Sequence, residues 1–252
     1  MINTIHIFNG DALEAMVPAY LAADRLVMRD CMMEGPMDLF QSSNHVALRE
    51  EYLLDHFGPL PQNLPIASFY EGEARCSGKD VYLWFEYDVF CQVNFWTCLH
   101  FLSGQQAVYW VRPLDKSYLG FGSNNAYELE IAFGRAIKLD QKQVEAFKNL
   151  LFWYQQKRFV EENLAIIPLQ AIFPHVQKVL HACSALFENS EGALSIFDQE
   201  LLSVCRKEGS FDIRKIFPKM HTTLGIYGMG DLQLEYHLAK LAQLTDLDDG
   251  TF

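Results

Sequence analysis

The segment Val81-Tyr82-Leu83-Trp84-Phe85 constrains this chain more than any other. Its five residues are strand formers with no polar alternation, the pattern of a strand buried on both faces. Glu86-Tyr87-Asp88 closes it, and residues 89–102 then read as a helix. A further apolar run, Ala107-Val108-Tyr109-Trp110-Val111, follows. The same alternation precedes it. Thr4-Ile5-His6-Ile7-Phe8 is a strand candidate broken by Asn9-Gly10-Asp11, and Asp11 is placed to cap a helix over residues 12–20, which Pro18 limits. Arg25-Leu26-Val27-Met28-Arg29 is the second strand. Residues 44–57 form an amphipathic helix with Val46, Leu48, Tyr52, Leu53 and Phe57 on one face, stopped by Gly58-Pro59. Residues 59–78 read as a Pro/Gly-rich loop. The order βαβαβαβ predicts an α/β fold with a mostly parallel, Rossmann-like sheet in the N-terminal half.

The second half is expected to be helical. Gly120-Phe121-Gly122-Ser123 marks a seam, so a sheet domain is expected over residues 1–122 and a helical region over 123–190. A small winged-helix-like unit is expected over 191–252: Ser195 caps a helix through Cys205, a second helix spans 211–217, and a third spans 232–244 with Leu234, Leu238 and Leu241 on one stripe. From residue 190 onward there are six Lys or Arg against ten Asp or Glu. A DNA reader needs a basic recognition helix, so nucleic acid is disfavoured and a protein partner is the expected use of this unit.

Charge and composition narrow the class further. The chain has 252 residues, half of them hydrophobic, and a net charge of −12. Such a chain repels nucleic acid and anionic membranes. No apolar run approaches the ~18 residues that span a bilayer. The start, Met1-Ile2-Asn3-Thr4, lacks the basic segment of a signal peptide, so a cytoplasmic protein is expected. The six cysteines show no metal-binding or redox spacing and read as buried free thiols.

In parallel sheets, ligands gather outside the carboxyl ends of the strands. Those ends carry Asn9, Gly10 and Asp11 from the first strand and Arg29 and Asp30 from the second. The third delivers Glu86 and Asp88, with Gln92 a turn into the next helix, and the fourth delivers Arg112. Asp11, Glu86 and Asp88 are candidate ligands for Mg²⁺ or Mn²⁺, which favour carboxylate oxygens. Arg29 and Arg112 are candidate phosphate anchors. The bland alternatives are that Asp11 only caps a helix and that Glu86 pairs with Arg29. No P-loop, GxGxxG or GxSxG motif is present, which disfavours P-loop nucleotide binding, dinucleotide binding and the α/β-hydrolase reading. Trp84, Trp96, Phe85, Phe90 and Phe95 read as core, and His6 and His100 as satisfied core or surface histidines.

Several of these residues fall in blocks that resemble a bacterial family. Ile5-His6-Ile7-Phe8-Asn9-Gly10-Asp11 resembles the N-terminal signature of the domain-of-unknown-function 1835 family. Arg29-Asp30-Cys31 with Glu34-Gly35-Pro36 resembles its second block, Arg49 matches an arginine of the following helix, and residues 83–92 resemble its WFExDxFCQ block. Residues 192–202 and 230–241 resemble its helical extension. Tyr87 stands where many members carry histidine. The resemblance implies an α/β domain followed by helices, and no activity.

Three readings of the pocket formed by Asn9, Gly10, Asp11, Arg29, Asp30, Arg49, Glu86, Asp88 and Gln92 result. The first is a metal-assisted enzyme acting on a phosphorylated or nucleotide substrate, with Glu86 and Asp88 as ligands or base. The second is a non-enzymatic sensor that reports a small ligand through its C-terminal unit. The third is a buried ion-pair network with a structural role.

Overall fold

A computed structural model describes residues 3–37, 44–58, 66–105, 107–115, 120–158, 166–187 and 194–245. The N-terminal half contains β1 (Thr4–Asn9), α1 (Asp11–Met16), β2 (Arg25–Met28), α2 (His45–Phe57), α3 (Ala67–Gly72), β3 (Asp80–Trp84), α4 (Val89–Phe101) and β4 (Ala107–Val111). Then come α5 (Ala126–Gly134), β5 (Ile137–Lys138), α6 (Gln141–Gln155), α7 (Ile167–Gln170) and α8 (Val176–Ala185). The chain closes with α9 (Ile196–Glu208), α10 (Ile213–Thr223) and α11 (Asp231–Thr245).

The sheet runs β2-β1-β3-β4-β5. The first four strands are parallel, with Ile7 beside Leu83 and Leu83 beside Trp110, and β5 joins antiparallel to β4. Alternation along each strand explains the unbroken apolar runs. Ile5, Ile7, Val81, Leu83 and Trp110 enter the main core, while Phe8, Trp84 and Val111 enter a second core under α1 and α5. The main core continues without a break through Phe95 of α4 and Phe147 of α6 to Leu201 of α9 and Leu238 of α11. His6 is buried and accepts a hydrogen bond from Trp84 Nε1 at 3.0 Å. Burial, reinforced by Arg25, holds its imidazole near pKa 4, so it is a neutral core residue.

Several local expectations are corrected. Gly10, not Asp11, occupies the N-cap of α1, with φ of 87°. Asp11 is the first helical residue and its carboxylate turns to Arg29 instead. The helix ends at Met16, two residues before Pro18, because the residue preceding proline avoids helical backbone. The expected loop of residues 59–78 contains α3 and a 3-10 turn, Glu73–Cys76, in its described part. Phe69 of α3 is fully buried, and tertiary burial rather than local pattern makes that helix. Residues 59–65 of that loop lie outside the described residues. α10 starts behind its Asp212 cap and runs past Pro218, well beyond the expected end at 217. In the described part of the C-terminal unit there are three α-helices, one 3-10 turn and no strand.

Two ion clusters anchor the loop that follows β2. Asp30 and Arg49 are both buried and pair through Arg49 Nη2 at 2.7 Å and Nε at 3.1 Å. Arg49 also donates to the carbonyls of Cys31 and Glu34, and Tyr70 donates its hydroxyl to Asp30 at 2.8 Å. The second cluster docks the C-terminal helices on the same loop. His237 of α11 lies 2.9 Å from Asp198 of α9 and 3.5 Å from Glu34, whose carboxylate accepts from Gln233. Burial alone would strip the His237 proton. The two carboxylates outweigh that and raise its pKa to about 9.

Removing one member of a buried pair leaves an uncompensated charge. Arg49→Met is expected to cost about 3–5 kcal/mol in urea unfolding, with part recovered when Asp30→Leu accompanies it. A single variant as stable as wild type would show the pair to be dispensable. For His237, the elevated folded-state pKa means that its contribution is complete below pH 6.5 and is lost as pH rises through about 9. The stability gap between wild type and His237→Gln should therefore narrow across that window in pH-dependent denaturation.

Candidate functional site

The strand order places β1 beside β3 with the chain crossing over in opposite directions from them. This is the topological switch point, where the crevice outside an open α/β sheet forms. Two short segments reach it. Asn9-Gly10 leaves β1, and Phe85 to Asp88 leaves β3.

Asp88 is 2% exposed and caps α4, its Oδ1 accepting from the Cys91 amide at 2.8 Å. The cap fixes where the whole cluster sits, because α4 is apolar nearly all round and ten of its residues are buried. Glu86 is held from the opposite side. Its Oε1 accepts from the Phe121 amide, and the Cys91 thiol donates to its Oε2 at 3.6 Å. Ligating atoms of Glu86, Asp88 and Cys91 all lie within 4.8 Å of one another, and this is the one such group among the described residues. A cleft of about 220 Å³ opens beside them, lined by Asn9, Leu13, Glu86, Phe90, Cys91 and Phe121 among others.

Asn9 joins the cluster through its amide, which donates to Cys91 Sγ at 3.0 Å. Its Oδ1 accepts from Asn94, which also donates to the Asp30 carbonyl and accepts from the Met32 amide. Gln92 is fully buried, and its amide donates to the Glu86 carbonyl. Among the described residues its Oε1 has no partner.

Two glycines make room for the carboxylates. Gly120 adopts φ of 62° and a Cβ there would run into the Glu86 carboxyl. Gly228, with φ of 66°, stands in the same relation to Asp88. It follows a 3-10 turn, Gly225–Tyr227, between α10 and α11, so the C-terminal helices are seated on the cluster.

The arginines lie elsewhere. Arg29 grips both oxygens of Asp11 at 2.7–3.0 Å and donates to Ser68 Oγ. Arg49 is consumed by Asp30 and three loop carbonyls. Arg112 donates to the Ile172 carbonyl with its guanidinium over the Trp110 ring. No Lys or Arg among the described residues pairs with Glu86 or Asp88. Of the sequence-derived candidates, Asn9 and Glu86 line the cleft, and Asp88 and Gln92 are buried behind them, against Cys91 and the Glu86 carbonyl, with Gly10 turning the chain away. Asp11 with Arg29, and Asp30 with Arg49, form separate pairs. Sequence reasoning gave Cys91 no role beyond a buried thiol and missed Gly228. The only available signal for the latter was the glycine pair Gly228 and Gly230 ahead of the last helix.

The electrostatics follow from that geometry. Burial first, and then the neighbouring Asp88, lifts the Glu86 carboxyl from its ordinary 4.5 to about 7. Burial also raises Asp88, against the pull of its hydrogen bonds from Cys91. The Cys91 thiol is pushed well above its ordinary value by burial and by both carboxylates, so it is not a thiolate nucleophile on its own. At neutral pH the cluster therefore holds a proton that it can give up or exchange.

No family model, no curated protein and no solved structure matches this chain.

The glycine seat is directly testable. Gly228→Ala incurs a left-handed backbone penalty of about 1–2 kcal/mol and also drives a methyl into Asp88. Gly78, with φ of 70° and open space around it, isolates the backbone part. Chemical denaturation should show Gly228→Ala costing more than Gly78→Ala, and the excess should shrink in an Asp88→Ala background.

Proposed function

We propose that the cleft outside β1 and β3 is a small-ligand site in which Glu86 and Asp88 take up a divalent cation, Mg²⁺ or Mn²⁺, for metal-assisted chemistry on a phosphorylated or nucleotide substrate. The observation that carries this reading is the close set of two carboxylates and a thiol at the switch point, with no Lys or Arg paired to either acid among the described residues and His221 the one basic group that acts on Asp88 there. Two buried acids without a cation raise each other's proton affinity, and a metal ion relieves both. Asn9 and Gln92 would orient the set through their amides. With Arg29 and Arg49 committed to Asp11 and Asp30, the substrate's negative charge would be met by the cation itself. Glu86, titrating near neutrality, would serve as the proton carrier when it is not a ligand. The likeness to the domain-of-unknown-function 1835 family, which we propose as this chain's family, supports the choice of residues, because its blocks contain Asn9, Glu86, Asp88 and Gln92.

A second reading rests on Gly228. Its backbone abuts Asp88, so a ligand that moves this carboxylate would press on the turn between α10 and α11. The protein would then be a sensor whose winged-helix-like C-terminal unit reports occupancy to a protein partner.

Calorimetric titration with Mn²⁺ tests the first reading. Binding is expected in wild type and lost in Glu86→Gln and Asp88→Asn, and it should tighten as pH rises from 6 to 8, by up to about tenfold per unit while Glu86 still holds its proton. No binding at millimolar Mn²⁺ or Mg²⁺, or equal binding in the variants, would overturn it. If Mn²⁺ binds, a screen of sugar phosphates and nucleotides with the metal present separates the two readings: turnover supports the enzyme, and altered amide exchange in α10 and α11 without turnover supports the sensor.

A further inference from the structure

A second cavity, about 630 Å³ in volume, shares no described lining residue with the Glu86 cleft. It lies between the loop after β2, the C-terminal ends of α6 and α8, and α11. Its size falls within the range of small-molecule sites. Two hydrogen bonds from α6 hold its walls in place. Tyr154 donates its hydroxyl to the Met33 carbonyl at 2.7 Å, and Gln155 donates to the Met37 carbonyl at 3.1 Å. Met33, Met37, Tyr52 and Phe187 form an apolar patch within a lining that is otherwise polar, and methionine adapts to varied shapes.

Among the described lining residues the charge that meets no opposite charge is positive. Among the described lining residues one side chain, Glu34, is acidic and two, Lys157 and His237, are basic, in a protein of net charge −12. Glu34 is already engaged by Gln233 and His237. The Lys157 ammonium rests over the face of Phe187, 5.3 Å from the ring centre, and no acid is paired with it among the described residues.

The backbone of Lys157 is unusual as well. It has φ of 51°, the one positive φ outside glycine among the described residues. The amides of Lys157 and Arg158 return to the carbonyls of Tyr154 and Trp153, the hydrogen-bond pattern of a Schellman helix end. That pattern places Lys157 at the position glycine normally fills. A lysine here bears a conformational cost that glycine would not, and its ammonium is delivered to the cavity wall. Strain at a residue with a chemically useful side chain is what a binding role would leave behind.

We propose that this cavity binds a small aromatic carboxylate, its ring packed among Met33, Met37, Tyr52 and Phe187 and its carboxylate held by the Lys157 ammonium. With His237 taken up by Glu34 and Asp198, the Lys157 ammonium is the described lining charge that favours an anion over an amine, and the Tyr52 and Phe187 rings favour a flat body.

The test uses the full chain and 3-phenylpropionate as the probe, with phenethylamine as the opposite-charge control and inorganic phosphate as the bare-anion control. Saturable binding of 3-phenylpropionate is expected, and phenethylamine and phosphate should each bind at least about tenfold more weakly. Lys157→Gly should weaken 3-phenylpropionate by about tenfold or more without lowering the melting temperature, because glycine suits the left-handed backbone. Absence of saturable binding to wild type at millimolar concentration would overturn the proposal. So would phenethylamine or phosphate binding as tightly as 3-phenylpropionate, or unchanged binding in a folded Lys157→Gly.

Discussion

The buried Asp30–Arg49 pair is the point on which the carboxyl edge of the sheet depends. The segment after β2 has no regular structure, so its carbonyls need partners from elsewhere. Arg49 supplies them, with its fork of donors divided between one carboxylate and three loop carbonyls. The order continues inward. The Asp30 carbonyl accepts from Asn94, Asn94 donates to Asn9, and Asn9 donates to Cys91 beside Glu86. An ion pair that contributes little net stability by itself thus sets the geometry of a cluster several side chains away, which is the kind of specificity buried polar networks supply.

Helix α4 converts that order into chemistry. It is apolar nearly all round and lies in the core, so its start cannot shift without disturbing the packing of Phe95 and Trp96. Asp88 caps it, and the cap holds a carboxylate where water is scarce. Glu86 sits close enough that the two acids cannot both ionise cheaply. Helix capping therefore stabilises the fold and creates the proton-holding pair at once. The glycines opposite complete the arrangement, one from the seam after β4 and one from the turn before α11.

Much of the architecture was legible because burial leaves a periodic trace. The two-faced strands β1, β3 and β4 appear as apolar runs, α4 lies within the stretch 89–102 that reads as a helix, and the leucine stripe of α11 is buried where its spacing implies. Short or context-dependent elements left no such trace. β5 is two residues long, too brief for any alternation to register, and it is held by pairing to β4 alone. α3 follows a segment rich in proline, and its helix rests on burying Phe69. The candidate site was legible in part for the same reason. Strand-end position identifies Asn9, Glu86, Asp88 and Gln92, because any parallel sheet brings such residues to one edge.

The sequence by itself determined the parallel α/β order, the carboxylate-bearing edge and the acidic character, since these follow from periodicity, strand-end position and net charge. Only the tertiary structure decided which carboxylate met which cation. Asp11 and Asp30 found arginines, while among the described residues no Lys or Arg pairs with Glu86 or Asp88, which gather with Cys91. Pairing of this kind depends on a few ångströms of distance across elements far apart in the chain, and one-dimensional spacing does not encode it. The seat of Gly228 against Asp88, which ties residue 228 to residue 88, belongs to the same class.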